Sequence, residues 1–174
     1  MAVVWNTSPR LMIDFQPISP GDMPQEIRDC LVVNVTVAGS RTVHAIGCYN
    51  PLDGEHRGDY SRLLAHMREG WTTPSGEQLT FDLDQVLLIG DLNTHQQDDI
   101  IESVPLARDG EPSLTLRTPW QPTHGGGNCL DVGFAGKALW CAGAIMQNPG
   151  SKDHAPIAMR VENTRRLPSG DRTD

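Results

Sequence analysis

Three short segments hold side chains whose types and spacing could do chemistry. In Gly90-Asp91-Leu92-Asn93, a carboxylate and an amide stand two residues apart just past an apolar run. Asp91 could hold a hard cation or take a proton from water. Asn93 could donate a hydrogen bond to an anionic oxygen while its own carbonyl accepts one. In Ser151-Lys152-Asp153-His154-Ala155-Pro156-Ile157, an acid sits beside an imidazole, which sets a metal ligand or charge partner next to a proton donor. Between the two lies Pro122-Thr123-His124-Gly125-Gly126-Gly127-Asn128-Cys129-Leu130-Asp131. Its consecutive glycines make a close-approach loop, and Asp131 is a carboxylate at a strand start of the kind that orients an imidazole. Each segment alone has an ordinary explanation: an Asx-turn closing a strand, a solvated polar turn, or a strand cap. The chemical reading depends on the three being brought together.

The elements that must position them follow from hydrophobic periodicity. Residues 85–90, Gln-Val-Leu-Leu-Ile-Gly, form an unbroken apolar run that suits a strand buried on both faces, with Asp91 and Asn93 just past its end. In layered folds the ends of such strands carry reactive groups on a rigid support, and Gly90 would let the backbone turn there and a ligand come close. Residues 31–37 and 42–49 are β-branched and partly alternating. They predict a hairpin about Ala38-Gly39-Ser40 that ends at Asn50-Pro51. From Tyr60 the period changes: Tyr60, Leu63, Leu64, Met67 and Trp71 fall at helical spacing, with Asp59 as N-cap and Gly70 as the stop. Further strands are predicted over 114–116, 129–134, 138–141 and 155–161, and residues 2–5 form a short apolar run. Residues 94–110 read as a polar loop. The chain thus divides into one domain over 1–162 and a polar tail over 163–174. Strands interleaved with a helix point to α/β or α+β layers.

Bulk properties narrow the function classes. The 174 residues suit one domain, and no run approaches the roughly 20 apolar residues of a membrane span. Residues 1–5 have no basic leader and no long apolar region, so no signal peptide is expected. Cys30, Cys48, Cys129 and Cys141 make no C-x-x-C pair; free, mostly buried thiols in a reducing compartment are expected rather than a zinc site. The net charge of −8 argues against a broad electrostatic grip on a polyanion, although carboxylates gathered around a cation would add to it. The histidines show no metal-ligand spacing. His44, inside a strand, reads as a satisfied structural residue; His95 and His124 stand beside the candidate site residues, where an ordinary structural role is expected first and a peripheral substrate contact is the alternative. The four tryptophans read as core or loop anchors, with Trp120 the one placed to touch nucleic acid.

Taken in order, Tyr49-Asn50-Pro51, Gly90-Asp91-Leu92-Asn93, Pro122-Thr123 with Leu130-Asp131, and Asp153-His154-Ala155-Pro156-Ile157 resemble the endonuclease/exonuclease/phosphatase family, the fold of pancreatic deoxyribonuclease and abasic-site endonucleases. The Gly-Asp-x-Asn-Thr-His and Thr-His-Gly-rich-Leu-Asp stretches look most like its non-LTR retrotransposon branch. The resemblance runs from near residue 1 to about residue 161. It implies a four-layer α/β sandwich, a Mg²⁺- or Mn²⁺-dependent phosphodiesterase, DNA as substrate and partner with no membrane, and an intracellular, nuclear location. It also implies roles: Asp91 positions or deprotonates the attacking water and lies at the metal, Asn93 binds the scissile phosphate, and His154 contacts that phosphate and stabilises its charge. Asp131 orients His154, Asp153 lies near the metal, and Tyr49 contacts the phosphate. Phosphodiester cleavage needs an in-line water, a Lewis acid and donors aimed at the developing charge, so the roles are physically consistent.

Two departures bear on these expectations. Lys152 stands where the family has serine, with Ser151 one place earlier. Residues 2–5 look like a family strand that follows the principal metal-binding glutamate, and Glu26, in Pro24-Gln25-Glu26-Ile27, is in the wrong context to replace it. The expectation is therefore an N-terminally truncated domain with weak or no activity. Hydrolysis of another phosphoester by the same fold, or a non-catalytic interaction domain, stand as the alternatives.

Overall fold

The computed structural model describes residues 13–27, 30–37, 42–49, 59–93, 114–146 and 153–162. Strands β1 (Ile13–Pro17), β2 (Leu31–Val37) and β3 (Thr42–Tyr49) precede helix α1 (Asp59–Glu69). A small hairpin, β4 (Trp71–Thr72) and β5 (Gln78–Leu79), leads to β6 (Val86–Asp91). Then come β7 (Leu114–Leu116), β8 (Asp131–Gly136), β9 (Trp140–Ile145) and β10 (Ile157–Glu162). One mixed sheet runs in the order β1-β2-β3-β6-β8-β7, and β9 and β10 pair separately. Among the described strands only the β3–β6 pair is parallel; its crossover contains α1, as a parallel connection requires.

The central strands show why both faces of this sheet are dry. Across one rung, Val32, Ile46, Leu88 and Phe134 are in register, and all four side chains are buried in the cluster that receives Leu63 and Met67 of α1. The next rung, Val33, Ala45, Leu87 and Ala135, points the other way, because side chains alternate along a strand. Leu87 and Ala135 are buried there with Leu139 and pack against Cys141, Met159 and Val161 of β9 and β10. The layers are therefore helix, six-stranded sheet and β9–β10 hairpin. Burying each Leu, Ile or Phe of these rungs contributes about 1.5–3 kcal/mol.

Glycines set the closest approaches. A Cβ on Gly90 would collide with the carbonyl of Cys48 on β3. The close neighbour at Gly90 is therefore the adjacent strand, and not the ligand or turn that its place in the sequence suggested. On β8 and β9, Gly133 and Gly143 leave the space that the Met159 thioether fills, since a Cβ on either would lie 2.6 or 2.8 Å from its sulfur.

Several predicted bounds shift for identifiable reasons. β8 spans Asp131–Gly136 rather than 129–134, and β9 spans Trp140–Ile145 rather than 138–141, because Lys137 and Ala138 form the turn between them. The Ala138 amide is bonded to the Asp84 carbonyl and the Leu139 amide to that of Gly136. β10 starts at Ile157 rather than 155: the Ala155 amide is already committed to the Thr123 carbonyl, and Pro156 has no donor. Asp59 is the first helical residue rather than the N-cap. Gly70 does stop the helix, at φ +73°, its amide bonded to the His66 carbonyl. β1 and the β4–β5 hairpin were not anticipated. The predicted hairpin about residues 38–40 pairs as expected, up to Thr36 opposite Thr42. The residue 2–5 run, the 94–110 loop and the 163–174 tail lie outside the described residues.

The remaining anchors also sort themselves. His44 is buried and satisfied: its Nδ1 is 2.8 Å from Asn34 Oδ1 and its ring meets Phe81 edge-on. Trp71 stacks on Phe81 and donates to the Asp22 carbonyl. Trp120 is half-buried and packs against the core, in keeping with its reading as an anchor. Trp140 is 64% exposed on the outer face of β9 and is no core anchor. Cys30, Cys48, Cys129 and Cys141 are free thiols, the first three buried; burial pushes the Cys48 thiol far up.

Candidate functional site

Sheet register assembles the site. Tyr49, the last residue of β3, is directly opposite Asp91, the last of β6, and Asp91 is opposite Asp131, the first of β8. Residues in one rung project from the same face. Counting back along β6 and β8, that is the face of Ile89, Leu87 and Ala135, toward the β9–β10 hairpin. The site therefore opens at the end of the cleft between the large sheet and the hairpin. Leu92 turns the other way and is buried in the helix-side core, which fixes Asp91 and Asn93 on either side of it.

The turn reading and the site reading of Asp91 prove to be compatible. Its Oδ1 accepts the Asn93 amide at 3.0 Å, an Asx-turn with Asn93 at φ 49°. Its Oδ2 faces His154, 3.9 Å from Nε2. The other ring nitrogen, Nδ1, is 2.8 Å from Asp131 Oδ2. The imidazole is thus oriented by one carboxylate and presents its second nitrogen to another. Asp91, Asp131 and His154 each offer a donor atom, all within 4.8 Å of one another, which makes a possible metal-holding group. Two carboxylates and an imidazole fit a divalent cation by chemistry. Asp131, with Oδ2 tied to the histidine, is the one among them already committed to orientation.

The loop before β8 holds this arrangement. Thr123 is 2% exposed, and its hydroxyl accepts the amides of Leu130 at 3.0 Å and Asp131 at 2.9 Å. Its carbonyl accepts the Ala155 amide, and the Gly125 amide donates to the Asp153 carbonyl at 3.0 Å. Residue 124 pairs with residue 154 as an isolated antiparallel bridge. One buried threonine therefore anchors Asp131 on one side and the His154 segment on the other. Sequence reading placed Thr123 in a motif but assigned it no role. The signal was its position seven and eight residues before the amides it binds.

The electrostatics follow from the contacts. Burial pushes the Asp91 carboxyl up, opposed by the Asn93 amide and reinforced by the negative charge of Asp131. The hydrogen bond to Asp131 pulls His154 up, with further help from the charges of Asp131, Asp91 and Asp153. Asp153 itself is exposed and stands outside the three-residue group. Tyr49 is 60% exposed at the rim of the same rung. His124 meets the His154 ring edge-on, 5.0 Å between centroids. His95 lies outside the described residues.

No family model matches the chain, and no curated protein matches it. Solved structures do. Cytolethal distending toxin from Actinobacillus actinomycetemcomitans superposes with a TM-score of 0.50 at 14% identity, over 88% of this chain and 59% of that one. The fold is a shared one: the α/β sandwich of the endonuclease/exonuclease/phosphatase type. The Haemophilus ducreyi toxin aligns over 91% of this chain and 60% of its own at 13% identity and TM-score 0.46. CdtB, described as the toxin's biologically active subunit, aligns over 88% and 57% at 12% and 0.48. This chain spans about three-fifths of the length of the structures it matches. Its described residues form a helix layer, the six-stranded sheet and the β9–β10 hairpin, with the Asp–His group at the end of the sheet on the hairpin side. Among them no helix is long and apolar enough to cross a membrane.

Proposed function

We propose that this chain is a divalent-cation-dependent phosphodiesterase domain that cleaves DNA, an endonuclease of the non-LTR retroelement type with a nuclear place of action. One observation carries the reading: His154 bridges two carboxylates unequally, tight to Asp131 at 2.8 Å and open to Asp91 at 3.9 Å. Across that spacing a water can donate to Asp91 Oδ2 and accept from Nε2–H, and a phosphoryl oxygen can accept from Nε2–H. Asp91, at the end of a rigid central strand, positions the attacking water and takes its proton. His154, held up by Asp131, donates to the phosphate and offsets the negative charge that grows on it. Asn93 adds an amide donor to the same phosphate, and Tyr49 contacts it from the rim. Asp91 and the exposed Asp153 would hold Mg²⁺ or Mn²⁺, which when bound supplies Lewis-acid polarisation of the phosphate. Retroelement origin and DNA as substrate rest on the motif resemblance; the acidic chain calls for contacts concentrated at the site rather than a broad basic face.

Nicking of supercoiled plasmid with Mg²⁺ or Mn²⁺, alongside hydrolysis of bis(p-nitrophenyl) phosphate, tests this. Cleavage that stops with EDTA and in Asp91→Ala supports it. Cleavage that survives Asp91→Ala overturns it, as does the joint absence of hydrolysis and of Asp91-dependent Mn²⁺ binding. Activity on the small ester with none on DNA would reassign the substrate.

A further inference from the structure

The loop before β8 carries a second imidazole, and its geometry is constrained as closely as that of the first. The amides of Thr123 and His124 both donate to the Asn128 carbonyl, at 3.0 and 3.1 Å. The Gly127 amide, from a residue at φ +85°, closes the turn onto the His124 carbonyl at 2.9 Å. Inside that turn the Gly126 amide donates to His124 Nδ1 at 3.0 Å. A Cβ on Gly126 would lie 3.1 Å from that nitrogen, so a glycine there lets the amide reach the ring.

An Nδ1 that accepts a hydrogen bond carries no proton, so the neutral ring so held has its proton on Nε2. His124 Nε2 has no hydrogen-bond partner among the described residues. The ring packs against His154 edge-on at 5.0 Å between centroids and is half-buried. A donor is therefore held by its loop, unspent, and beside the imidazole assigned to the phosphate.

We infer that His124 is a substrate-contacting residue, donating its Nε2–H to a non-bridging oxygen of the phosphodiester that Asp91 and His154 address. This rests on the phosphodiesterase reading above and adds a residue to it. The competing role is a brace for the glycine loop, which would use Nδ1 alone.

Amide side chains separate the two roles. Asparagine can place an acceptor near Nδ1 and nothing at Nε2; glutamine reaches the Nε2 position with a donor. Dimethyl phosphate is titrated into the wild-type protein with Mg²⁺ present, following the imidazole ¹⁵N resonances of His124 and His154. Its affinity is then compared in His124→Gln and His124→Asn. We expect both histidines to shift with one midpoint, His124→Asn to lose roughly tenfold or more in affinity, and His124→Gln to stay within about threefold. A shift of His154 without His124 overturns this inference and leaves the phosphodiesterase reading standing. No shift of either overturns both. Wild-type affinity in His124→Asn with loss in His124→Gln assigns the ring to bracing and overturns the inference. The wild-type titration decides even if a variant fails to fold.

Discussion

Replacing Thr123 by valine removes one hydroxyl and leaves the side-chain shape nearly unchanged. That hydroxyl accepts two amides, Leu130 at 3.0 Å and Asp131 at 2.9 Å, and the residue is 2% exposed. A buried donor left without an acceptor costs about 1–3 kcal/mol. Two such donors give roughly 2–5 kcal/mol, tempered by any water that enters. Thr123→Ser keeps the acceptor and loses one buried methyl, a cost of about 1 kcal/mol. For a chain of 174 residues, a loss of 3 kcal/mol lowers Tm by about 6–12 °C. Urea denaturation of wild type, Thr123→Ser and Thr123→Val should therefore rank them in that order of falling midpoint. The same change frees the Asp131 amide, so the 2.8 Å contact with His154 loosens. In metal-free buffer the His154 titration, raised chiefly by that hydrogen bond, should fall toward the ordinary value of 6.5 in Thr123→Val and hold in Thr123→Ser. A valine variant as stable as the serine one would refute the hydrogen-bond reasoning. A destabilised valine variant with an unmoved His154 titration would refute the claim that Thr123 positions Asp131.

Two further predictions test the frame of the site. Gly90→Ala drives a methyl into the Cys48 carbonyl of the parallel β3–β6 pair, and should cost at least about 1–3 kcal/mol; a change below about 0.5 kcal/mol in denaturation would show that the strands separate freely there. His44 is held below the ordinary histidine value, by burial first and against the pull of Asp82. Its folded pKa being depressed, it contributes stability that is present above the unfolded value of about 6.5 and is lost as pH falls through the folded one. Denaturation midpoints between about pH 8 and pH 5 should therefore fall more steeply for wild type than for His44→Gln, and parallel slopes would rule this out.

How much of this could be read from the chain alone is clearest at particular residues. The unbroken apolar run of β6, the alternation of β2 and β3, and the helical spacing of Leu63 and Met67 each encode burial locally, so those elements were legible with bounds nearly right; Trp71, placed on the same helical face by spacing, instead opens β4. The motif order made Asp91, Asn93, Asp131 and His154 recognisable as a set. It could not say that Asp91 spends one oxygen on an Asx-turn and turns the other to His154, because that depends on where Leu92 is buried. Nor could it place Trp140 outside the core, since β9 shows its outward face only once β10 and Met159 have claimed the inward one.

The sequence by itself thus determined the layer class, the central strands and the identities of the chemically able side chains, because periodicity and residue type are local properties. Only the tertiary structure decided which of them meet. Tyr49, Asp91 and Asp131 become neighbours through strand register. Thr123 becomes an anchor through two amides seven and eight residues away, and His124 comes against His154 through a bridge spanning 30 residues. Those are long-range pairings between segments whose own sequences are ordinary turns, so no local pattern could carry them.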